Sequence, residues 1–278
     1  MRVNPERVGR HRGPLKAVVL DWAGTILDHG SRAPVLAFVQ VFARHGYTVT
    51  EAQARVPMGT AKREHLTAIL AMPAVDAQVR AMQGRAPSEA DVDALYAAFE
   101  TAQLEVIRET STLLPGLLEV VNGLRARGVK IGTTTGYTRA MSDACAALAA
   151  EQGFVPDARF SVTDVPQARP APWMVFDNLR TLGVWPPSAV LKIGDTAADI
   201  AEGHAAGCWT LGLVGPGNEL GLDLDAYRSL SPEERERRLS VGRQRLLDHG
   251  AHFVADDWSD VPAVIEHIER RLLEGEKP

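Results

Sequence analysis

A chain of 278 residues, 45% of them hydrophobic, is long enough to bury a substantial core, which excludes a largely disordered protein. Its net charge of -5 at pH 7 argues against a nucleic-acid-binding protein, because nucleic-acid backbones are bound by basic surfaces. No apolar run reaches the ~20 residues of a membrane-spanning helix, and the first residues lack the hydrophobic segment of a secretion signal. We therefore expect a cytoplasmic globular protein that binds neither nucleic acid nor membrane.

Neither the first residues nor the two cysteines indicate a catalytic or metal-binding site. Residues 1–15 are basic and offer little to bury, which predicts a solvated, partly disordered tail, with a binding arm as the alternative. Cys145 and Cys208 lie in apolar segments without the spacing of metal ligands. We expect both thiols to be buried and reduced, as free cysteines usually are.

Short apolar runs predict six buried strands, which are, in chain order, "KAVVLDW", "VKIGTTT", "ARFSVTD", "AVLKIGD", "CWTLGLV" and "AHFVA". Helical patterns lie between them, such as "TRAMSDACAALAAEQG" with Gly153 as a candidate cap and a segment bounded by Pro172 and Gly183. "SPEERERRLSVGRQRLL" carries charges of both signs and predicts an exposed helix face. Strands that alternate with helices predict an α/β fold, a doubly wound parallel sheet of Rossmann-like type.

One long segment interrupts this alternation. Residues 34–110 have helical patterns throughout, including a capping box from Thr50 to Gln53, a helix after Gly59, and a long helix that Ser88 introduces with Asp91 three places on. We interpret this segment as an inserted all-helical cap. The predicted domains are therefore a cap at residues 33–110 and an α/β core at residues 16–32 and 111–278.

Polar residues stand where three of the predicted strands end, namely Asp21, Thr135 and Asp195. Ligands of open parallel sheets bind at the carboxyl ends of the strands. "KIGDTAAD" also places Asp199 in the first turn of the next helix, where it could face the same point as Asp195 or simply cap the helix. Converging carboxylates with few His or Cys residues suit Mg²⁺, and Mg²⁺ suits a phosphoryl ligand.

The segment "ARVPMGTAKREHL" supplies a different kind of candidate. Pro57 and Gly59 break the chain, Thr60 can cap a new helix, and Lys62 falls in its first turn, three residues before His65 on the same face. A lysine at that end of a helix has a lowered pKa, which favours the neutral amine, a nucleophile toward carbonyls. The alternative is an ordinary pair of surface side chains.

"DWAGT", the threonine that ends the next core strand and "GDTAAD" follow one another in an order that resembles the haloacid dehalogenase superfamily, and the helical insertion resembles its cap. With "PMGTAKREH", "GTTTGYTR" and "ARPAPWM" the chain resembles the phosphonatase branch, the phosphonoacetaldehyde hydrolases, over about residues 16–271. In most phosphatases of the superfamily an aspartate two places after the first one protonates the departing alkoxide. Here that position is Ala23, which leaves three interpretations: an inactive protein, a different leaving group, or a proton from elsewhere.

The resemblance implies hydrolysis of phosphonoacetaldehyde to acetaldehyde and phosphate, in the degradation of 2-aminoethylphosphonate. Lys62 would form a Schiff base with the aldehyde, His65 would carry protons, and Asp21 would attack phosphorus. A departing carbanion needs an electron sink rather than an acid aimed at oxygen, which would explain Ala23. The rival functions are a phosphatase or dehalogenase of the same superfamily and a catalytically silent phosphate-binding regulator.

The same resemblance implies the remaining site residues and a homodimer. Mg²⁺ would be held by Asp21, the backbone carbonyl of Ala23 and Asp195, with Asp199 acting through water. The expected substrate and phosphate contacts are Thr135, Arg169, Met58, Gly59 and Tyr137. Two of these have plainer alternatives, a structural ion pair for Arg169 and simple packing for Met58, which is otherwise expected to desolvate the Lys62 amine.

Overall fold

Six parallel strands form a single sheet in the order β3-β2-β1-β4-β5-β6 in the computed structural model, which describes residues 11–278. The strands are β1 (Ala17–Leu20), β2 (Lys130–Thr135), β3 (Ala158–Ser161), β4 (Val190–Gly194), β5 (Trp209–Leu213) and β6 (Phe253–Ala255). Each one lies in a run that the sequence predicts to be a strand. The α/β, doubly wound prediction is thus confirmed.

The position of β1 determines where polar side chains collect. Its Leu20 pairs with Thr133 of β2 on one side and with Ile193 of β4 on the other. Both faces of β1 are buried, and its sequence is therefore apolar without alternation. The chain runs to one side of β1 through β2 and to the other through β4, so a crevice opens at the carboxyl ends of these three strands.

The twelve α-helices of residues 11–278 are α1 (Arg32–Arg44), α2 (Glu51–Arg55), α3 (Lys62–Leu70), α4 (Pro73–Gln83), α5 (Glu89–Thr110), α6 (Leu117–Ala126), α7 (Arg139–Glu151), α8 (Trp173–Leu182), α9 (Ala197–Ala206), α10 (Leu224–Arg228), α11 (Pro232–Asp248) and α12 (Val261–Glu274). The predicted end of α8 is confirmed, since Gly183 follows it in the left-handed conformation. Helix α11 buries few residues and exposes most of its charged side chains, as predicted.

Helices α1 to α5 occupy the insertion between β1 and β2. The rings of Phe38 in α1 and Phe99 in α5 stack with centroids 4.3 Å apart, and both are fully buried. The capping boxes predicted at Thr50 and Ser88 are present. These helices fill the predicted cap segment, while the division of the chain into a cap at 33–110 and a core at 16–32 and 111–278 remains a prediction.

The prediction that Thr60 caps α3 is wrong. Ala61 stands at the cap position, and no side chain accepts a hydrogen bond from the first turn. The Thr60 hydroxyl instead donates to the carbonyl oxygen of Pro57, at 2.8 Å. The hydroxyl thus stabilises the turn from Pro57 to Thr60 rather than the helix that follows.

Two neighbouring segments connect the sheet to the inserted helices. The N–H of Leu114 donates to the carbonyl oxygen of Ile26 (2.9 Å), and the N–H of Asp28 donates to that of Thr112 (3.1 Å). The buried carboxylate of Asp28 also accepts hydrogen bonds from the first N–H groups of α1, including that of Ala33 at 2.8 Å. The insertion is therefore held to the sheet at both of its ends.

The remaining sequence predictions concern the tail, the cysteines and the membrane. Residues 1–10 of the predicted tail lie outside the described residues, whereas Leu15 is buried in the core. Cys145 and Cys208 are both free and buried, as predicted. None of the helices described here combines the length and the apolar character needed to span a membrane.

Candidate active site

A cavity lies where the carboxyl ends of β1, β2 and β4 meet the loop between α2 and α3. Nine of the predicted site residues line it: Asp21, Ala23, Met58, Gly59, Lys62, Thr135, Tyr137, Arg169 and Asp195. The sequence did not indicate the other lining residues, Ser31, Pro34, Gly136 and Thr196. Two predicted residues, His65 and Asp199, do not line the cavity and lie behind residues that do.

Three buried carboxylates form a cluster at one wall of the cavity. Asp21, Asp195 and Asp199 each bring one oxygen within 4.8 Å of the others. Burial and the neighbouring Asp199 raise the pKa of Asp21 to about 6, and burial together with Asp21 raises that of Asp195 well above its usual value. Such crowding of like charge favours a cation between the oxygens.

The donor set of this cluster fits a hard divalent cation. Asp195 Oδ2 accepts the N–H of Asn218 at 2.8 Å, whereas its buried Oδ1 has no hydrogen-bond partner within residues 11–278. A buried carboxylate oxygen without a donor is costly unless a cation satisfies it. The cluster offers only oxygen atoms, which are the ligands that Mg²⁺ and similar ions prefer.

Asp199 serves two structural roles at once. It completes a capping box with Thr196 at the start of α9, which was the plainer sequence interpretation. Its Oδ1 also lies 2.6 Å from Lys192 Nζ and 2.9 Å from Arg169 Nη1. Burial would raise the pKa of this carboxyl, but Arg169 and Lys192 hold it below its usual value. Arg169 and Lys192 therefore favour the ionised form of Asp199.

Arg169 is buried and surrounded by acidic partners. Its Nη2 donates to Asp21 Oδ1 at 2.8 Å and to Thr134 Oγ1 at 2.7 Å. Its Nη1 faces Asp199, and its Nε donates to Glu202 Oε2 at 3.0 Å. The ion pairs that were the plainer interpretation of Arg169 are thus present, and they place the guanidinium beside the carboxylate of Asp21.

Lys62 is the first residue of α3, and its side chain is buried against aromatic rings. Its Nζ lies 5.0 Å from the ring centroid of Tyr137 and 5.6 Å from that of Phe38. Burial lowers the pKa of Lys62 to about 8, and the charge of Asp21 opposes this shift. Desolvation is therefore the main cause of the lowered pKa of Lys62. The sequence analysis instead named the position of Lys62 at the start of the helix as the first cause.

His65 lies one turn after Lys62 in α3 and is fully buried. Its ring stacks on Phe38 with centroids 3.8 Å apart, and its Nε2 is 2.7 Å from the carbonyl oxygen of Ala54. A carbonyl only accepts, so Nε2 carries the proton. Nδ1 is then unprotonated, and the described residues give it no partner. Burial lowers the pKa of His65 well below its usual value, which keeps the ring neutral.

Gly59 and Gly136 allow the loop before α3 to approach the segments that follow β2 and β4 closely. Gly59 has a φ of +89°, and a Cβ there would overlap Thr196 Oγ1 and lie 2.9 Å from the Cβ of Ala198. A Cβ at Gly136 would lie 2.9 Å from the carbonyl oxygen of Thr60. Both positions need glycine because backbone and small side chains approach closely there.

Arg55 at the end of α2 adds polar contacts across the same boundary. Its Nη1 donates to the carbonyl oxygen of Gly30 at 2.8 Å and to Asn218 Oδ1 at 3.3 Å. Its Nη2 donates to the carbonyl oxygen of Gly221 at 3.1 Å. Since the N–H of Asn218 binds Asp195, these contacts connect the inserted helices to the carboxylate cluster.

Thr135, Tyr137 and Met58 complete the wall of the cavity. Thr135 Oγ1 accepts the N–H of Tyr137 at 3.1 Å, so its own hydroxyl hydrogen is free to point elsewhere. Burial raises the pKa of Tyr137 well above its usual value, and within residues 11–278 its hydroxyl has no partner. The side chain of Met58 is buried and lines the cavity that Lys62 also lines.

Sequence reasoning missed five residues that surround the site, namely Arg55, Thr134, Lys192, Glu202 and Asn218. Lys192 carried a usable signal, since it is a charge in the middle of an apolar strand. Glu202 follows Asp199 by three residues and so shares its face of α9. The remaining three lie where separate segments meet, which no local pattern indicates.

Known proteins resemble this chain along most of its length. The family model for haloacid dehalogenase-like hydrolases matches residues 15–207. The phosphonoacetaldehyde hydrolase of Nitratidesulfovibrio vulgaris is 46% identical over 267 residues, which cover 96% of this chain and 95% of that protein. The corresponding protein of Bacillus cereus is 39% identical over 259 residues, covering 93% of this chain and 98% of the relative.

A solved structure shows the same similarity in three dimensions. The crystal structure of a phosphonoacetaldehyde hydrolase-like protein from Oleispira antarctica matches with a TM-score of 0.96 and 39% identity, covering 100% of this chain and 99% of that one. The chain therefore belongs to the haloacid dehalogenase-like hydrolases and, within them, to the phosphonoacetaldehyde hydrolase family of enzymes.

Proposed function

We propose that this enzyme hydrolyses the carbon–phosphorus bond of phosphonoacetaldehyde to give acetaldehyde and phosphate. One observation carries the proposal: the buried amine of Lys62 and the carboxylate of Asp21 line the same cavity, with Ala23 where a phosphatase would place its acid. The relatives named phosphonoacetaldehyde hydrolase support the choice of substrate. In a phosphatase of the same superfamily, the amine of Lys62 would have no role in the reaction.

In the first step the neutral amine of Lys62 adds to the aldehyde carbon and water leaves, which forms an imine. A pKa of about 8 leaves part of the amine neutral near neutral pH. The imine nitrogen then takes a proton, and the face of Tyr137 lies where it would stabilise the resulting cation. His65 is the proposed proton carrier, since its buried Nδ1 is unprotonated.

In the second step a carboxylate oxygen of Asp21 attacks phosphorus. The electrons of the carbon–phosphorus bond pass to the iminium nitrogen of Lys62, so an enamine leaves and an aspartyl phosphate forms. No oxygen leaving group has to be protonated, which is why Ala23 is sufficient. The enamine takes a proton at carbon and water hydrolyses the imine, releasing acetaldehyde. A second water hydrolyses the aspartyl phosphate, which releases phosphate and restores Asp21.

The polar groups around Asp21 fit a phosphoryl group. Arg169 Nη2 lies beside the Asp21 carboxylate, and the Thr135 hydroxyl lines the same cavity. The residues that would hold Mg²⁺ are Asp21, the carbonyl group of Ala23 and Asp195, with Asp199 reached through water. When bound, Mg²⁺ would neutralise charge on the phosphoryl oxygens.

The proposal is tested by comparing the wild type with Lys62→Arg. The wild type should release phosphate and acetaldehyde from phosphonoacetaldehyde, and borohydride added during turnover should reduce the imine and label Lys62. The variant should do neither, because a guanidinium does not condense with aldehydes, yet it should still bind Mg²⁺. Lys130→Arg is the matched control, since Lys130 is exposed at the start of β2.

Two results would contradict the proposal. One is turnover or borohydride labelling of Lys62→Arg at the level of the wild type. The other is a wild type that hydrolyses p-nitrophenyl phosphate readily while leaving phosphonoacetaldehyde intact, which would identify a phosphatase instead.

A further inference from the structure

Glu202, in the second turn of α9, is the only side chain of residues 11–278 that accepts a hydrogen bond from Arg169 Nε. It is fully buried. Its Oε2 also accepts the hydroxyl hydrogen of Thr134 at 2.9 Å, and Lys192 Nζ lies 3.7 Å away. Glu202 does not line the cavity, so any effect on the reaction must pass through the groups that it contacts.

The contacts of Glu202 determine how the guanidinium of Arg169 is oriented. A guanidinium is planar, so a hydrogen bond at Nε limits rotation of the whole group. With Nε held at 3.0 Å by Glu202, Nη2 falls 2.8 Å from Asp21 and Nη1 falls 2.9 Å from Asp199. The edge with two nitrogens therefore spans Asp21 and Asp199, and Nη2 lies beside the carboxylate that is proposed to receive the phosphoryl group.

Thr134 closes a ring of hydrogen bonds around this arrangement. Its Oγ1 accepts from Arg169 Nη2 at 2.7 Å and donates to Glu202 Oε2 at 2.9 Å. The hydroxyl thus binds both the arginine and its acidic partner, which removes the remaining freedom of the guanidinium plane. All three side chains are buried, so no solvent competes for these donors and acceptors.

A purely structural role does not account for Glu202. Its second oxygen, Oε1, has no hydrogen-bond partner in the described part of the chain, although it is buried. A buried carboxylate that is only partly satisfied contributes little net stability, because its desolvation offsets much of the attraction to its partners. The hydrogen bond from Arg169 Nε to Glu202 also keeps this edge of the guanidinium from turning toward Asp21.

We propose that Glu202 is a positioning residue which, together with Thr134, holds Arg169 so that its Nη2 lies at Asp21, where it can bind a phosphoryl oxygen. This inference rests on the proposed function only in assigning a phosphoryl group to Asp21. Any phosphoryl-transfer chemistry at Asp21 would need the same arrangement.

The test measures the binding of inorganic phosphate in the presence of Mg²⁺ by isothermal titration calorimetry. Glu202→Gln preserves shape but removes the charge, and Thr134→Val removes the bridging hydroxyl. Each variant should raise the Kd for phosphate about 10-fold, comparable to the loss of one charge-assisted hydrogen bond. The Kd of the double variant should be only slightly higher than that of the single variant with the higher Kd, because both substitutions act through Arg169.

A second readout separates positioning from stability. Borohydride trapping of Lys62 with acetaldehyde should be unchanged in both variants, since the imine needs no phosphoryl contact. Leu246→Ala is the control for lost stability: Leu246 is fully buried in a separate core cluster, and its truncation should lower the Tm without changing the Kd for phosphate.

The outcomes distinguish this inference from the proposed function. Variants that bind phosphate as the wild type does and lose only Tm would overturn the role of Glu202, as would a wild type that binds no phosphate. Failure of the wild type to cleave phosphonoacetaldehyde would instead contradict the proposed function, and the phosphate titration would still decide the role of Glu202.

Discussion

The nitrogen of Lys62 lies 5.0 Å from the centroid of the Tyr137 ring, inside a site whose other charged lining residues are two carboxylates and an arginine. The ring offers a negative π face to a cation but no hydrogen bond, so it replaces water poorly. This explains how the site can favour the neutral amine before the aldehyde arrives and still accommodate a positively charged imine afterwards.

The pH dependence of imine formation should therefore follow the pKa of Lys62, which burial lowers to about 8. Only the neutral amine attacks the aldehyde, so the rate should rise with pH, with the neutral fraction growing from about one-tenth at pH 7 to about nine-tenths at pH 9. The measurement is the initial rate of cyanoborohydride trapping with acetaldehyde. A free lysine amine, with its ordinary pKa of 10.5, is the control, and half-maximal trapping near pH 10 in the enzyme would contradict the burial argument.

Ala23→Asp should change the leaving group that the enzyme accepts. A carboxyl at this position could protonate a departing alkoxide, a contribution typically of about 100-fold or more. Hydrolysis of ethyl phosphate should increase by that order, whereas cleavage of phosphonoacetaldehyde should fall because a further acid enters a cavity already rich in carboxylates. Phosphate release from both substrates measures the change. Ala23→Ser is the control, because it adds a small polar side chain without an acid. An equal gain in ethyl phosphate hydrolysis in that variant would contradict the role of the carboxyl group.

Removal of metal should separate the two halves of the reaction. A chelator should stop phosphate release and Mg²⁺ should restore it, while imine trapping with acetaldehyde continues. Asp195→Asn should weaken Mg²⁺ binding by at least about 10-fold, the smallest effect expected even for an outer partner of a metal site. Asp143→Asn is the control, since that carboxylate is about half exposed and lies on α7. Loss of imine trapping on chelation would show that Lys62 and the cluster are not independent.

The parts of the molecule that sequence alone predicts are those determined by local patterns. The buried runs indicate all six strands, and the strand ends indicate Asp21, Thr135 and Asp195 because parallel strands end at one edge of a sheet. The capping boxes at Thr50 and Ser88 are also local, since each involves residues three apart.

The parts that sequence does not predict depend on contacts between distant segments. Arg169 lies in a loop, and its partner Glu202 is 33 residues further along, so neither orients the other until α9 has packed on the sheet. The location of His65 behind the cavity follows from stacking on Phe38 of α1, which the period of α3 cannot show. The prediction for Thr60 failed because α3 begins one residue later than expected, with Ala61 at the cap position, while the Thr60 hydroxyl donates to the carbonyl oxygen of Pro57.

The approach of Gly59 to Thr196 leads to a last prediction, because the loop that carries Met58 and precedes Lys62 can only rest on the start of α9 if position 59 has no Cβ. Gly59→Ala would place that atom against Thr196 Oγ1 and 2.9 Å from the Cβ of Ala198, at a φ of +89°. The loop would have to lift, and a displacement on the order of 1 Å at a reacting group can cost about 100-fold in rate. We expect kcat/KM for phosphonoacetaldehyde to fall by that order.

Gly84→Ala is the matched control for this change. Gly84 has a similar φ of +71°, but a Cβ there meets nothing within 4 Å, so the substitution adds the backbone strain without the overlap. It should lower the Tm by a similar amount and leave kcat/KM unchanged. If both variants lost activity equally, backbone strain rather than contact between the loop and the start of α9 would explain the loss, and the position of Lys62 in the cavity would not depend on Gly59.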